Sequence, residues 1–82
     1  MANTIEMIRW RLKEIMARYD ITGTKLAKEL GVRESAVSNW RTAKTIPRIG
    51  GERLDEICNA LSKLAGRKIR FTDLFEEVEE LF

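Results

Sequence analysis

Histidine is absent from this 82-residue sequence, which also contains only one cysteine and one proline. Without histidine the chain has no imidazole for acid–base catalysis, and a zinc site is not expected. The single cysteine, Cys58, excludes a disulfide within the chain. No apolar run approaches the roughly 20 residues of a membrane-spanning helix, and the N-terminus lacks the charged start and apolar run of a signal peptide. We therefore expect a cytoplasmic protein without membrane contact.

Charge is plentiful but unevenly distributed along the chain. Charged residues make up 34% of the sequence, and the formal net charge is +2. All 15 basic residues lie within residues 1–70 together with eight acids, whereas residues 71–82 contain five acids and no base. A basic body with an acidic tail suits a protein that binds a polyanion. The same distribution also fits ordinary surface charge on solvated helices.

Apolar residues recur at three- and four-residue steps along most of the chain, which predicts a series of helices. The length suits one small domain with one core. We therefore predict an all-α, compact five-helix bundle-like domain. The predicted boundaries are 4–19 for the first helix with Asn3 as its cap, Thr22 to Gly31 for the second, about 34–42 for the third, a fourth that stops at Gly66, and a fifth capped by Thr72.

The segment from Leu26 to Trp40 is the most informative part of the chain. Ala27 is small enough to let two helices cross closely, and Gly31 can adopt the left-handed conformation that a sharp turn needs. Apolar residues fall where a tight helix pair needs internal contacts. This pattern is typical of a DNA-binding helix-turn-helix, whose second helix enters the major groove.

These residues resemble the helix-turn-helix of phage repressors and Cro proteins, the XRE-like family. The resemblance covers roughly residues 5–65, including the run from Leu54 to Leu61, which is similar to the family's fourth helix. Gly23 stands where the family often has a glutamine that touches a phosphate, and Arg33 replaces the usual Ser or Thr cap. The residues that match at the family's spacing are Leu26, Ala27, Leu30, Gly31, Val32, Val37, Ser38 and Trp40.

The resemblance implies a sequence-specific transcriptional regulator that binds double-stranded DNA. It further implies a bacterial or phage-encoded, nucleoid-associated repressor that needs no cofactor and binds a near-palindromic operator as a homodimer. An enzyme is not expected, because the chain has no nucleophile–base pair, metal cluster or phosphate-binding glycine loop. Residues 1–66 would form the DNA-binding domain, and residues 67–82 an amphipathic helix packed on the core or on a dimer partner.

Under this resemblance the N-terminal part of the recognition helix, at about residues 34–42, faces the bases. The matching positions are Glu34, Ser35 and Asn39, with Ser38 close by. Asn39 can pair bidentately with adenine, and Glu34 can accept a hydrogen bond from a cytosine amino group. Glu34 equally fits the acidic first turn that a helix dipole favours.

Basic and hydroxyl-bearing residues flank the predicted recognition helix. Such residues suit contacts with DNA phosphates, which give affinity and orientation but no sequence information. A generic basic surface is the alternative interpretation. The predicted phosphate contacts are Thr22, Thr24, Arg33, Arg41, Thr42, Lys44, Thr45 and Arg48.

Met7 and Trp10 are predicted to lie on the outer face of the first helix, opposite its apolar stripe. An exposed tryptophan next to a methionine suggests a partner surface, and the C-terminal segment is a candidate dimerisation element. Packing of that segment over the core of its own chain is the alternative. A second functional hypothesis is an antitoxin-like interaction module that binds a partner protein through Met7, Trp10 or the acidic tail, with DNA binding secondary.

Overall fold

The computed structural model describes residues 4–43 and 47–81. These residues form four α-helices, one short 3-10 helix and one antiparallel two-stranded sheet. The elements in chain order are β1 (Thr4–Trp10), α1 (Leu12–Arg18), α2 (Gly23–Leu30), α3 (Glu34–Thr42), α4 (Gly51–Ala65), the 3-10 helix (Phe71–Leu74) and β2 (Phe75–Leu81).

The core lies where the four helices meet. Each helix contributes at least one side chain with no exposed surface, as Leu12, Leu26, Val37 and Ile57 show. Burying a side chain of this size stabilises the fold by about 1.5–3 kcal/mol. The other buried residues are Trp10, Ile15, Met16, Ile21, Ala27, Cys58, Ala60, Leu61, Ile69 and Leu74.

The turn between α2 and α3 forms as the sequence predicts. The Thr22 hydroxyl oxygen accepts a hydrogen bond from the Lys25 backbone N–H at 3.1 Å and so caps α2. Gly31 has a φ of 69°, and the Val32 backbone N–H donates to the Ala27 carbonyl at 3.0 Å. This hydrogen bond across a left-handed residue ends α2 and redirects the chain into α3. The predictions of α2, α3 and a fourth helix that ends at Gly66 are confirmed.

The predicted helix over residues 4–19 is wrong in its first half. Residues Thr4–Trp10 form a strand, and the helix starts only at Leu12. The helical spacing continues inside α1, where Leu12, Ile15 and Met16 are buried. β1 instead pairs along one edge with β2 at the far end of the chain, a long-range contact that local periodicity cannot show. The predicted Asn3 cap lies outside the described residues.

The predicted C-terminal helix is also wrong, so the described chain is neither all-α nor a five-helix bundle. After the 3-10 helix, β2 pairs antiparallel with β1, with Trp10 opposite Phe75 and Thr4 opposite Leu81. Thr72 does not act as a cap. The Arg70 backbone N–H instead donates to a carboxylate oxygen of Asp73 at 2.9 Å. An isolated helix of nine or so residues is marginal in water, whereas pairing with β1 gives the backbone of β2 partners along one edge.

The two-stranded ribbon joins the helices through charged and aromatic contacts at its base. Arg9 lies 3.3 Å from Glu14 of α1 and 3.4 Å from Glu76 of β2. The hydrogen bond from Arg11, together with the positive charges of Arg11 and Arg9, lowers the pKa of Glu14. The Trp10 and Phe75 ring centroids are 5.3 Å apart. Among the helices of the described ranges, none is both long and apolar enough to span a bilayer.

Candidate nucleic-acid interface

Helix α3 presents opposite faces to the core and to solvent. Val37 is fully buried and Trp40 is half-buried against the core, whereas Glu34, Ser35 and Asn39 are exposed. The predicted base-contacting positions therefore share one accessible face of α3. The prediction that Val37 and Trp40 are internal is confirmed.

A cleft of about 400 Å³ separates the start of α2 from this face of α3. Hydroxyl, carboxylate and guanidinium groups dominate its walls, so it offers both donors and acceptors. The structure thus brings five of the predicted contact residues together at one place. The cleft is lined by Gly23, Thr24, Glu34, Ser35, Ser38 and Arg41.

The Arg41 side chain lies next to Gly23, and both residues line the cleft. A Cβ atom built on Gly23 would lie 3.6 Å from Nη1 of Arg41 and 3.8 Å from Cγ1 of Val37. The guanidinium thus occupies the space beside the first residue of α2. Arg41 of α3 therefore lies next to the position where the family that the sequence resembles often has a glutamine.

Three arginines around α3 are free of carboxylate partners among residues 8–43 and 47–76. Arg33 and Arg48 are exposed and Arg41 is half-buried, and none of them takes part in an ion pair there. Lys63 of α4, by contrast, lies 2.8 Å from Glu29, and its hydrogen bond to that carboxylate raises the lysine pKa. Positive charge is left available around α3. The predicted contacts Lys44 and Thr45 lie outside the described residues.

The predicted threonine contacts differ in how their hydroxyls are engaged. Thr22 accepts a hydrogen bond from Lys25, so its own hydroxyl proton can still be donated to a ligand. Thr42 donates its proton to the Ser38 carbonyl at 2.9 Å, within the helix. Thr24 is exposed beside the cleft. Thr22 and Thr24 are thus better placed than Thr42 to donate to a phosphate.

Trp10 has a role that the sequence interpretation missed. It is only 7% exposed, so the prediction that it lies on an outer partner surface is wrong. Its indole Nε1 donates to the Trp40 carbonyl at 2.8 Å. That carbonyl is one of the last four of α3, which have no partner inside the helix. Met7, the other residue of the predicted surface, has no described side chain.

Comparison with known protein families agrees with this arrangement. The model of the Cro/C1-type helix-turn-helix DNA-binding domain matches residues 11–78. The chain belongs to this family. No curated protein and no solved structure matches the chain.

Membership of the Cro/C1-type family confirms the resemblance drawn from the sequence and extends it beyond the helices. The match runs through the 3-10 helix into β2, so the C-terminal strand is part of the matched region. Cro/C1-type domains are DNA-binding modules of transcription regulators and are in general not enzymes. In this member, α2 and α3, joined by the turn at Gly31, form the helix-turn-helix.

Proposed function

We propose that this Cro/C1-type domain is a repressor that inserts α3 into the major groove of an operator and acts by occupying it. The observation that carries the proposal is the solvent-facing row of polar side chains on α3, bordered by arginines without carboxylate partners in the described part of the chain. It acts in the cytoplasm and needs no cofactor for this activity. An α-helix with its side chains is about 10–12 Å in diameter and therefore fits the roughly 12 Å width of the major groove.

Base recognition is assigned to the exposed face of α3. Asn39 has an exposed carboxamide that can donate to and accept from adenine in the major groove. Ser35 and Ser38 can donate or accept, and Glu34 can accept from cytosine. Glu34 lines the same cleft as Arg41, whose positive charge reduces the repulsion between that carboxylate and nearby phosphates.

Phosphate contacts are assigned to the residues around both ends of the helix pair. Arg33, Arg41 and Arg48 supply charge, and each phosphate that they neutralise makes binding more sensitive to salt. Threonine hydroxyls at the start of α2 supply further donors. Thr42, whose hydroxyl donates within the helix, and Lys44 and Thr45, which lie outside the described residues, are the remaining predicted phosphate contacts.

Selection of bound sequences from a random duplex pool tests this function. We expect a near-palindromic consensus. Asn39→Ala and Ser35→Ala should each relax the preference at particular positions, because each removes one base contact and leaves the core intact. Lys28→Ala, at an exposed position of α2 outside the proposed interface, is the matched control. No enrichment with the parent protein would overturn the function, and an unchanged consensus in both variants would overturn the base-contact assignment.

The dimer that a palindromic site requires is proposed to form through the edge of β1. The ribbon gives the molecule a long dimension of 49 Å against 24 and 22 Å, so it projects from the helices. A two-stranded sheet alone is marginally stable, and its edges favour pairing with a further strand. β2 carries Glu76, Glu77, Glu79 and Glu80, so two β2 edges would repel each other. β1 has one acid and one base, and a second copy can pair with it antiparallel.

Sedimentation equilibrium tests this interface. Ile8 on β1 and Phe71 outside the ribbon are the exposed large apolar residues of the described side chains, at 52% and 57%. Ile8→Lys should give a monomer, because it brings two like charges to the paired edges, whereas Phe71→Lys should remain dimeric. A parent protein that is monomeric even with its selected duplex would refute the dimer. The division into residues 1–66 and 67–82 stays a prediction.

A further inference from the structure

Gly23 is the first residue of α2, and its backbone does not require glycine, because the glycines with positive φ in the described chain are Gly31 and Gly66. Gly50 and Gly51 also lack a positive φ, but a Cβ atom on either would have no neighbour within 4 Å among the described residues. Gly23 differs from them because a side chain lies beside it.

The space beside Gly23 is occupied by the side chain of Arg41. A Cβ atom would make ordinary van der Waals contacts of 3.6 Å with Nη1 and 4.0 Å with Cζ of Arg41. Alanine would therefore fit. A longer side chain would extend toward the guanidinium and compete with it for the same volume, because Val37 borders the other side at 3.8 Å.

We propose that Gly23 is a positioning residue that admits the Arg41 guanidinium to the cleft between α2 and α3, where it contacts the DNA backbone. This inference rests on the proposed function. A guanidinium has five N–H donors and accepts none, so a half-buried one needs acceptors. Glu34 lines the same cleft, yet Arg41 forms no ion pair with any carboxylate among the described side chains. Its donors are therefore left for phosphate oxygens.

The experiment is a double-mutant cycle read by the salt dependence of duplex binding. The variants are Gly23→Leu, Arg41→Ala and the double variant, measured on the duplex selected by the parent protein. Loss of one phosphate contact reduces the slope of log affinity against log salt by about one. We expect Arg41→Ala and Gly23→Leu each to lose about one unit of slope, and the double variant to lose no more than either.

Two controls separate displacement of Arg41 from a general effect of leucine in a first helical turn. Gly51 is the first residue of α4, and a Cβ atom there would have no neighbour within 4 Å among the described residues. Gly51→Leu should keep the parent slope and melting temperature. Gly23→Ala should also keep the parent slope, because its Cβ atom fits beside Arg41. Should Gly23→Leu unfold, Gly23→Ser and Gly23→Val can replace it, and the bulkier valine should lose more slope.

The possible outcomes distinguish failure of the positioning role of Gly23 from failure of the proposed DNA binding. A parent protein that binds no duplex refutes the proposed function and the inference with it. A parent that binds, with Gly23→Leu and Arg41→Ala losing slope additively, refutes only the positioning role of Gly23. A Gly23→Leu variant that keeps the parent slope also refutes the positioning role of Gly23. Losses of slope that do not add in the double variant support that role.

Discussion

Trp10→Phe tests whether the N-terminal strand supports the recognition helix. The substitution keeps an aromatic ring in the core and removes the indole N–H that donates to the Trp40 carbonyl at 2.8 Å. Such a hydrogen bond contributes about 0.5–1.5 kcal/mol net, and a buried carbonyl left without a donor costs about 1–3 kcal/mol. Because Trp10 is only 7% exposed, water cannot readily replace the lost donor.

We therefore expect a loss of about 2 kcal/mol in the free energy of unfolding, a value in the range for a buried carbonyl left without a donor. For a domain of this size, each kcal/mol corresponds to about 4–8 °C, so the melting temperature should fall by about 8–16 °C. Thermal unfolding followed by circular dichroism measures the shift. Ile8→Val, at an exposed position on the same strand, is the control and should unfold close to the parent temperature.

Hydrogen exchange of the two tryptophan side chains gives an independent measurement. The indole N–H of Trp10 is bonded and buried, whereas that of Trp40 donates to no acceptor among the described residues. The Trp10 signal should therefore exchange much more slowly than the Trp40 signal. Equal exchange rates, or a Trp10→Phe variant as stable as Ile8→Val, would refute the reasoning.

Two further predictions concern the core. Ala27→Leu should destabilise the crossing of α2 by about 1–3 kcal/mol, because Ala27 is only 2% exposed and its site has no room for three more carbons. The control Lys28→Leu, at an exposed position of α2, should unfold near the parent temperature. If Ala27→Leu melted at the parent temperature, the helices would not cross at Ala27. Burial, with the charges of Asp55 and Asp73 adding to it, raises the pKa of the Cys58 thiol. At a pH between the unfolded and the native thiol pKa, the native thiol keeps its proton whereas the unfolded thiol loses it. The contribution of Cys58 to the free energy of unfolding is therefore complete below the unfolded thiol pKa of about 9 and declines above it. Urea midpoints should fall more steeply above that pH in the parent than in Cys58→Ala, and parallel curves would argue against a buried thiol.

The sequence predicted the helix-turn-helix well because its signals are local. Thr22 caps α2 through a hydrogen bond three residues away, and Gly31 provides the turn through its own backbone. Each of these interactions spans only a few residues, so spacing and residue type are enough to predict it. The polar positions of α3 follow from the same register, since Val37 fixes which face is buried.

The ends of the chain could not be predicted in this way because their structure depends on partners far along the sequence. Phe75 pairs with Trp10 across 65 residues, and neither segment alone shows which partner it will meet. A helix with a stripe at Ile8, Leu12 and Ile15 places Trp10 outside. A strand that ends at Trp10 can instead turn the same side chain into the core.

Whether the segment that contains Trp10 is a helix or a strand therefore decides whether this side chain is exposed or buried. As a helical residue it would be an exposed apolar group and a candidate partner surface. In the strand it reaches across the core and donates to the last turn of α3, the helix assigned to the major groove. Because residues Thr4–Trp10 form a strand and not a helix, Trp10 contacts the helix assigned to the major groove. A change in the pairing of β1 with β2 should consequently alter the hydrogen bond between Trp10 and the last turn of α3. This effect is expected even though neither strand contributes a residue to the proposed DNA contacts.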